Sequence, residues 1–308
     1  MDLFSLKVIK NLLRNYGVFP SKRLGQNFLI DKLVLFKIIK TANLQPNDVV
    51  LEIGSGIGNL TQEIAKRAKK VITIEKDSKM VEILKETTKN LKNLKIIRAN
   101  ILKVPNYQLP IANYKVVANL PYYIVSPVIR KFLEREKKPR EMILMVQKEV
   151  AQRICASPAK VFASQKFRRA RPPKMSLLAV SVQFYARPEI VSFVSKKSFW
   201  PQPKVDGAIL KIIPNKTIQK TSGRLFFVKK ENKDLFFRIV KAGFSQPRKQ
   251  LVNNLSKGLA QSSPNGLKLN KEKVRIWLLK NNIQPSQRAE TLILENWISL
   301  TRDFNFSQ

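Results

Sequence analysis

A chain of 308 residues with 58 lysines and arginines, 21 acidic residues and no histidine carries a formal charge of +37, an excess that calls for a polyanionic partner. Nucleic acid fits, because a dense phosphate backbone rewards many cationic contacts through counterion release; an acidic membrane surface is the rival, yet no stretch approaches the roughly 18 uncharged apolar residues of a spanning helix. With Cys155 as the single cysteine and no imidazole, the composition excludes an intramolecular disulfide, the usual zinc sites and His-activated nucleophiles, and it implies a reducing, cytoplasmic setting.

Residues 1–19 place apolar side chains at helical spacing, interrupted by Lys7, Lys10 and Arg14, which reads as an amphipathic helix and not a secretory signal. Residues 20–29 are polar and glycine-containing and lead into a helical pattern over 33–39. Asp31 suits its N-cap, while Gly25, Gln26 and Asn27 can lay backbone and amide groups over a small ligand. Val49-Val50-Leu51-Glu52-Ile53 reads as a buried strand, followed by the turn Gly54-Ser55-Gly56-Ile57-Gly58 and a helix over 60–68. Strand, glycine turn and helix N-terminus together make a nucleotide-type site. A second strand, 71–74, ends in Glu75, whose carboxylate can accept from both hydroxyls of a ribose. The G-x-G-x-G spacing departs from the dinucleotide pattern. Glu52, so close to the turn, disfavours a pyrophosphate and suits a cationic sulfonium, which tilts the reading from NAD to S-adenosylmethionine.

A helix over 79–88 and a third strand, 94–98, lead to Asn100. The fourth strand is the organising feature: Val116-Val117-Ala118-Asn119 ends abruptly in an amide, Pro121 stops further ladder pairing, and Tyr122 and Tyr123 stand beyond the strand end. The Asn119 side chain and the Leu120-Pro121 backbone offer two carbonyl acceptors, enough to hold a planar amine with an aromatic face above it. Helical patterns over 127–135 and 148–155 flank a fifth strand, 142–147. Strands alternating with helices specify a doubly wound parallel sheet whose strand ends, with Glu75, Asn100 and Asn119, converge on one crevice.

The stretch 159–175 carries Lys160, Lys166, Arg168, Arg169, Arg171 and Lys174 with no acid and reads as an exposed basic loop. Residues 177–185 and 205–213 are strand-like and flank Phe199-Trp200-Pro201-Gln202-Pro203-Lys204. Residues 215–227 are polar and basic, which marks a linker, and helical spacing at 233–242, 248–259, 271–280 and 292–300 predicts a small helical domain. The expected division is 1–214, with an insertion at about 159–175, and 215–308.

Several separated segments, Arg23-Leu24-Gly25-Gln26-Asn27-Phe28-Leu29, Leu51 to Gly58, Asn119-Leu120-Pro121-Tyr122, 145–153, 199–206, Phe244-Ser245-Gln246-Pro247-Arg248-Lys249 and Arg288-Ala289-Glu290-Thr291-Leu292, together resemble the small-subunit ribosomal RNA adenine dimethyltransferases of the KsgA type. The resemblance implies a mostly parallel, Rossmann-like class I methyltransferase sheet followed by a small all-helical domain that binds RNA. It implies that Asn27, Leu29, Gly54, Glu75, Asn100 and Asn119, with Gly56 and Gly58 of the turn, form the S-adenosylmethionine site. Tyr122 and Phe199 would sandwich the target adenine beside Pro121, while Asn119 and the Leu120 carbonyl accept from its amine. The RNA contacts expected on that reading include Arg168, Arg169, Arg171, Lys204, Arg248 and Lys249. The implied partner is the immature small ribosomal subunit, met by a monomer without metal or membrane.

Three departures stand out. Asn100 occupies a position where the family usually has aspartate, Tyr123 one where asparagine is common, and the basic stretch 159–175 replaces a shorter segment. Two other readings stay open at this point: a large-subunit methylase of the macrolide-resistance type, which shares the fold and the Asn119–Tyr122 pattern, and an RNA-binding assembly factor without activity.

Overall fold

Residues 1–21, 25–110, 112–157, 174–215, 230–261 and 270–304 are described by a computed structural model. They divide into a sheet unit of residues 1–151 and 186–214 and a helical unit of residues 152–185 and 215–308. Residues 152–185, read from the sequence as part of the first domain, therefore belong to the helical unit.

In the sheet unit, apolar runs become strands because both of their faces are covered: Val50, Leu51, Val116, Val117 and Ile143 are fully buried. Among the described residues, seven strands form one sheet in the order β4 (Leu94–Arg98), β3 (Lys70–Glu75), β2 (Val49–Ile53), β5 (Tyr114–Asn119), β6 (Glu141–Gln147), β9 (Gly207–Pro214), β7 (Ala186–Val194). The five from β4 to β6 are parallel, β9 runs antiparallel beside β6, and β7 pairs antiparallel with β9 at the edge. Since β2 pairs with β3 on one side and β5 on the other, the chain travels outward to β4 and then crosses back to β5. That reversal leaves a crevice beyond the carboxyl ends of β2 and β5. A separate two-stranded ribbon joins β1 (Phe28–Leu29) to β8 (Phe199–Trp200), pairing Leu29 with Phe199.

Local chemistry sets the helices. The amphipathic N-terminal pattern forms α1 (Leu6–Asn15), with Ile9, Leu12 and Leu13 buried. Asp31 caps α2 (Lys32–Ala42), accepting from the amides of Leu33 at 2.9 Å and Val34 at 3.2 Å. The glycine turn opens α3 (Asn59–Ala65), and Asp77 caps α4 (Ser78–Thr87) in the same way as Asp31. Two further helices, α5 (Val125–Leu133) and α6 (Lys148–Ile154), follow β5 and β6.

The helical unit contains α7 (Leu177–Tyr185), α8 (Lys230–Gly243), α9 (Leu251–Gln261), α10 (Lys271–Lys280) and α11 (Leu294–Arg302), around a core that includes Phe236, Leu255, Trp277 and Trp297. Residues 177–185 are thus a helix and not the strand expected. Ser176 starts it, its hydroxyl accepting from the Ala179 amide at 3.2 Å, and Ala179 and Val180 enter the core, while Phe184 stacks on Phe236 at 4.5 Å. Burial among helices overrides the β propensity of this valine- and aromatic-rich run. The strand lies immediately after it, as β7. Most of the basic stretch 159–175, including Arg168, Arg169 and Arg171, and most of the linker 215–227 lie outside the described residues. Among the described residues no helix is long and apolar enough to cross a membrane, and no group of three or more His, Cys, Asp or Glu is placed to hold a metal ion.

Candidate active site at the ends of the parallel strands

The crevice between the ends of β2 and β5 is lined by most of the residues singled out in the sequence: Asn27, Leu29, Gly54, Gly56, Glu75, Asn100, Asn119, Leu120, Pro121, Tyr122 and Phe199. Gly58 is not among them. It begins α3 at φ 91°, and a Cβ there would come within 2.9 Å of Leu84 Cδ1 and Thr87 Oγ1 on α4. Its glycine is required for the left-handed turn and for helix packing.

At the end of β3, both Glu75 oxygens are engaged by backbone: Oε2 accepts from the Gly56 amide at 3.1 Å, and Oε1 from Lys76 at 2.7 Å and Asp77 at 3.0 Å. Burial raises the Glu75 pKa, and these three bonds oppose the rise. The carboxylate therefore fixes the glycine turn, and of its four lone-pair sites these bonds leave one, on Oε2, for a ligand in the crevice that Glu75 lines. Asn100 begins the loop after β4, its side-chain oxygen accepting from the Leu102 amide at 3.1 Å.

Glu52, on β2 beneath the turn, is buried, 1% exposed. Its Oε2 accepts from the Thr61 hydroxyl at 2.6 Å, while Oε1 has no partner among the described residues. Burial pushes its pKa up to about 7 against the hydroxyls of Thr61 and Thr73, which favour the charged form. The buried Ser55 hydroxyl likewise has no hydrogen-bond partner among the described residues.

Asn119 terminates β5. Its amide nitrogen donates to the Asn27 carbonyl at 3.3 Å, which leaves the side-chain oxygen as an acceptor for the crevice. The next residues turn away through Leu120 and Pro121, placing Tyr122 half-buried on the wall. Burial, then the negative charges of Glu149 and Asp206, raise the Tyr122 pKa, so the phenol is neutral.

Residues 25–31 cross the same crevice as a strap. Gly25, at φ 64°, packs so closely on Pro121 that a Cβ would stand 3.2 Å from the Pro121 Cβ. Gln26 bridges the strap to the cap of α4, accepting from the Ser21 amide at 2.8 Å and donating to Asp77 Oδ2 at 3.0 Å. The Leu29 carbonyl accepts from Asn59 Nδ2 at 2.5 Å, and the Ile30 amide donates to the Ser198 carbonyl at 2.9 Å. Ser198 also donates its hydroxyl to Asp31 Oδ2 at 2.9 Å, so the residue before Phe199 is tied to the cap of α2. Phe199 is only 3% exposed, a ring set in the wall by its β1 partner.

Sequence reasoning missed Asp77, Asn59 and Phe28 as parts of this site. Asp77 was legible only as a helix cap, and Phe28 acts through its stack on Trp200, 6.4 Å between ring centroids, which joins segments far apart in the chain. Lys204 is exposed before β9, and Arg248 and Lys249 are exposed in the helical unit; none of them lines the crevice.

The unpartnered Glu52 oxygen, the acceptor-rich ends of β3 and β4 and the glycine turn fit a cationic ligand bearing a ribose and an amino group. The family model for ribosomal RNA adenine dimethylase matches residues 20–299. The chain belongs to that family. It is 40% identical over 298 residues to the ribosomal RNA small subunit methyltransferase A of Dehalococcoides mccartyi, covering 96% of this chain and 92% of the relative. A second protein of that name, from Alkaliphilus metalliredigens, is 39% identical over 96% of this chain and 95% of its own length. Among solved structures, a dimethyladenosine transferase from Plasmodium falciparum superposes with a TM-score of 0.64 at 26% identity, covering 88% of this chain and 94% of the other. The 23S rRNA methyltransferase ErmE gives the same TM-score at 23% identity over 90% and 99%, a likeness of fold.

Proposed function

We propose that this member of the adenine dimethylase family transfers methyl groups from S-adenosylmethionine to the exocyclic amine of adenines in a loop of small-subunit ribosomal RNA, two adjacent ones, during subunit maturation. The observation that carries the reading is the engaged amide nitrogen of Asn119, which leaves its oxygen facing a crevice walled by Tyr122 and Phe199. The large-subunit alternative has the same fold behind it, but relatives about 40% identical bear the small-subunit name, against 23% identity to ErmE.

S-adenosylmethionine, when bound, supplies an electrophilic methyl on a sulfonium leaving group. Glu75, Asn100, Asn27, Leu29 and the turn at Gly54 and Gly56 are the residues that would hold it, with Glu52 favouring its positive charge. The protein's share of the chemistry is alignment. Asn119 Oδ1 and the Leu120 carbonyl accept hydrogen bonds from the amine and draw the nitrogen lone pair out of conjugation with the ring. Tyr122 and Phe199 hold the base, which must be unpaired or flipped to reach them, and each base–aromatic contact offsets roughly 1–3 kcal/mol of that cost. The amine proton leaves after the methyl has arrived, so a site without histidine suffices. Exposed basic side chains in each unit, Lys204 in the sheet unit and Arg248 and Lys249 in the helical unit, support RNA association through phosphate contacts.

Incubation with immature small subunits and labelled cofactor, followed by nucleoside digestion and primer extension, tests the proposal. Dimethyladenosine at adjacent adenines is expected. Label confined to large-subunit RNA, or found in another nucleoside, would overturn it.

A further inference from the structure

Four aromatic residues line the crevice, and they are not placed alike: Phe28 is 6% exposed, Phe199 3%, Tyr122 half-buried, and Tyr123 57% exposed. Tyr123 has no hydrogen bond, ion pair or ring contact among the described residues. Its backbone is nevertheless fixed. The Ile124 amide donates to the Pro121 carbonyl at 3.1 Å, and α5 follows at once with Val125, Val128 and Ile129 buried. A tightly held turn therefore presents two consecutive phenol rings, one in the wall and one at the mouth.

An open ring on a fixed turn gains nothing from the fold, since its face meets water. It is suited to a flat, uncharged partner that arrives with the substrate. Any base drawn into the crevice brings the next nucleotide of its strand to the mouth, and an aromatic face stacks on any base. We propose that Tyr123 is the stacking platform for the nucleotide adjacent to the adenine in the crevice, and that in a target of two adjacent adenines it keeps the waiting base at the mouth. This rests on the reading of the site given above. It assigns Tyr123 a part in substrate binding separate from Tyr122, and it makes modification of the second adenine depend on a residue outside the methyl-transfer machinery.

The test compares Tyr123→Asn and Tyr123→Phe with the unaltered enzyme on immature small subunits. The readouts are KM for the subunit, kcat, S-adenosylmethionine affinity and the ratio of doubly to singly modified adenine pairs after a chase with excess unlabelled subunits. Tyr123→Asn is expected to raise KM about tenfold, the worth of one modest base–aromatic stack, and to lower the ratio, with cofactor affinity unchanged. Tyr123→Phe, which keeps the ring, is expected to behave as the unaltered enzyme. Unchanged KM and ratio in Tyr123→Asn would overturn the proposal. So would equal losses in both variants with weakened cofactor binding, which mark a structural role. If the unaltered enzyme fails to methylate small-subunit RNA, the functional reading is at fault and the role of Tyr123 falls with it, an outcome distinguishable because it precedes any comparison of variants.

Discussion

The two ends of the parallel strands bury polar groups in opposite ways. At the amino ends, Lys115 Nζ donates to the Ala42 and Asn43 carbonyls at 2.7 and 2.9 Å and pairs with Asp48 at 3.1 Å and Glu141 at 3.0 Å. Asp48 in turn holds Arg140 at 3.1 Å, and Glu141 holds Lys211 at 3.0 Å. At the carboxyl ends, Glu52 Oε1 and the Ser55 hydroxyl are buried with no hydrogen-bond partner among the described residues, and Asn119 engages only its nitrogen. A closed network secures the fold, whereas an open one is a strain the fold tolerates where a ligand completes it. Burial alone does not separate the two ends; satisfaction does.

Breaking the closed end should cost the most stability. Lys115→Met leaves Asp48 and Glu141 short of their shared cation and is expected to destabilise by about 3–5 kcal/mol, read from the urea midpoint, while the folded fraction still binds cofactor. At the open end the loss should fall on activity instead. Asn119→Ala is expected to abolish detectable transfer, a loss of about 10²–10³-fold or more, with RNA binding intact and the urea midpoint little changed. Loss of RNA binding together with transfer would assign Asn119 a structural role.

Glu52 sharpens the comparison through pH. Its unfolded form loses its proton near 4.5, and its folded form near 7. With the folded pKa raised, the contribution of Glu52 to stability is greatest below the unfolded value and falls as pH rises through the interval, by on the order of 3 kcal/mol. Above the folded value it stays constant. Urea melts of the cofactor-free protein across this range should show a slope that Glu52→Gln removes; an identical slope in both would mean that the carboxyl carries no such burden. The smallest of these effects is expected at the aromatic wall, where Tyr122→Ala should cost about 1–3 kcal/mol of substrate binding with stability and cofactor affinity unchanged.

Much of the open end was legible in the sequence because its residues sit at strand ends, where an apolar run stops at Glu75 or Asn119 and chemistry begins. The closed end was not legible: nothing local marks Lys115 as buried, and its partners come from α2, the segment before β2, and β6. The packing part of Gly58 was hidden for a related reason, since nothing local shows that a Cβ there would meet Leu84 and Thr87 of α4. Residues 177–185 look like a strand because β-branched and aromatic residues report burial as readily as they report pleating. The true strand, β7, was hidden by Pro188, which an edge strand accepts. The link from Gln26 to Asp77 and the pairing of Leu29 with Phe199 join distant segments and leave no local trace.

The claim that the open end awaits a cationic nucleoside is tested most directly by calorimetric titration of the protein with S-adenosylmethionine. Saturable binding at one site is expected, weakened when Glu75 is replaced by alanine and unaffected by Lys204→Ala. No heat of binding at millimolar cofactor would contradict the account.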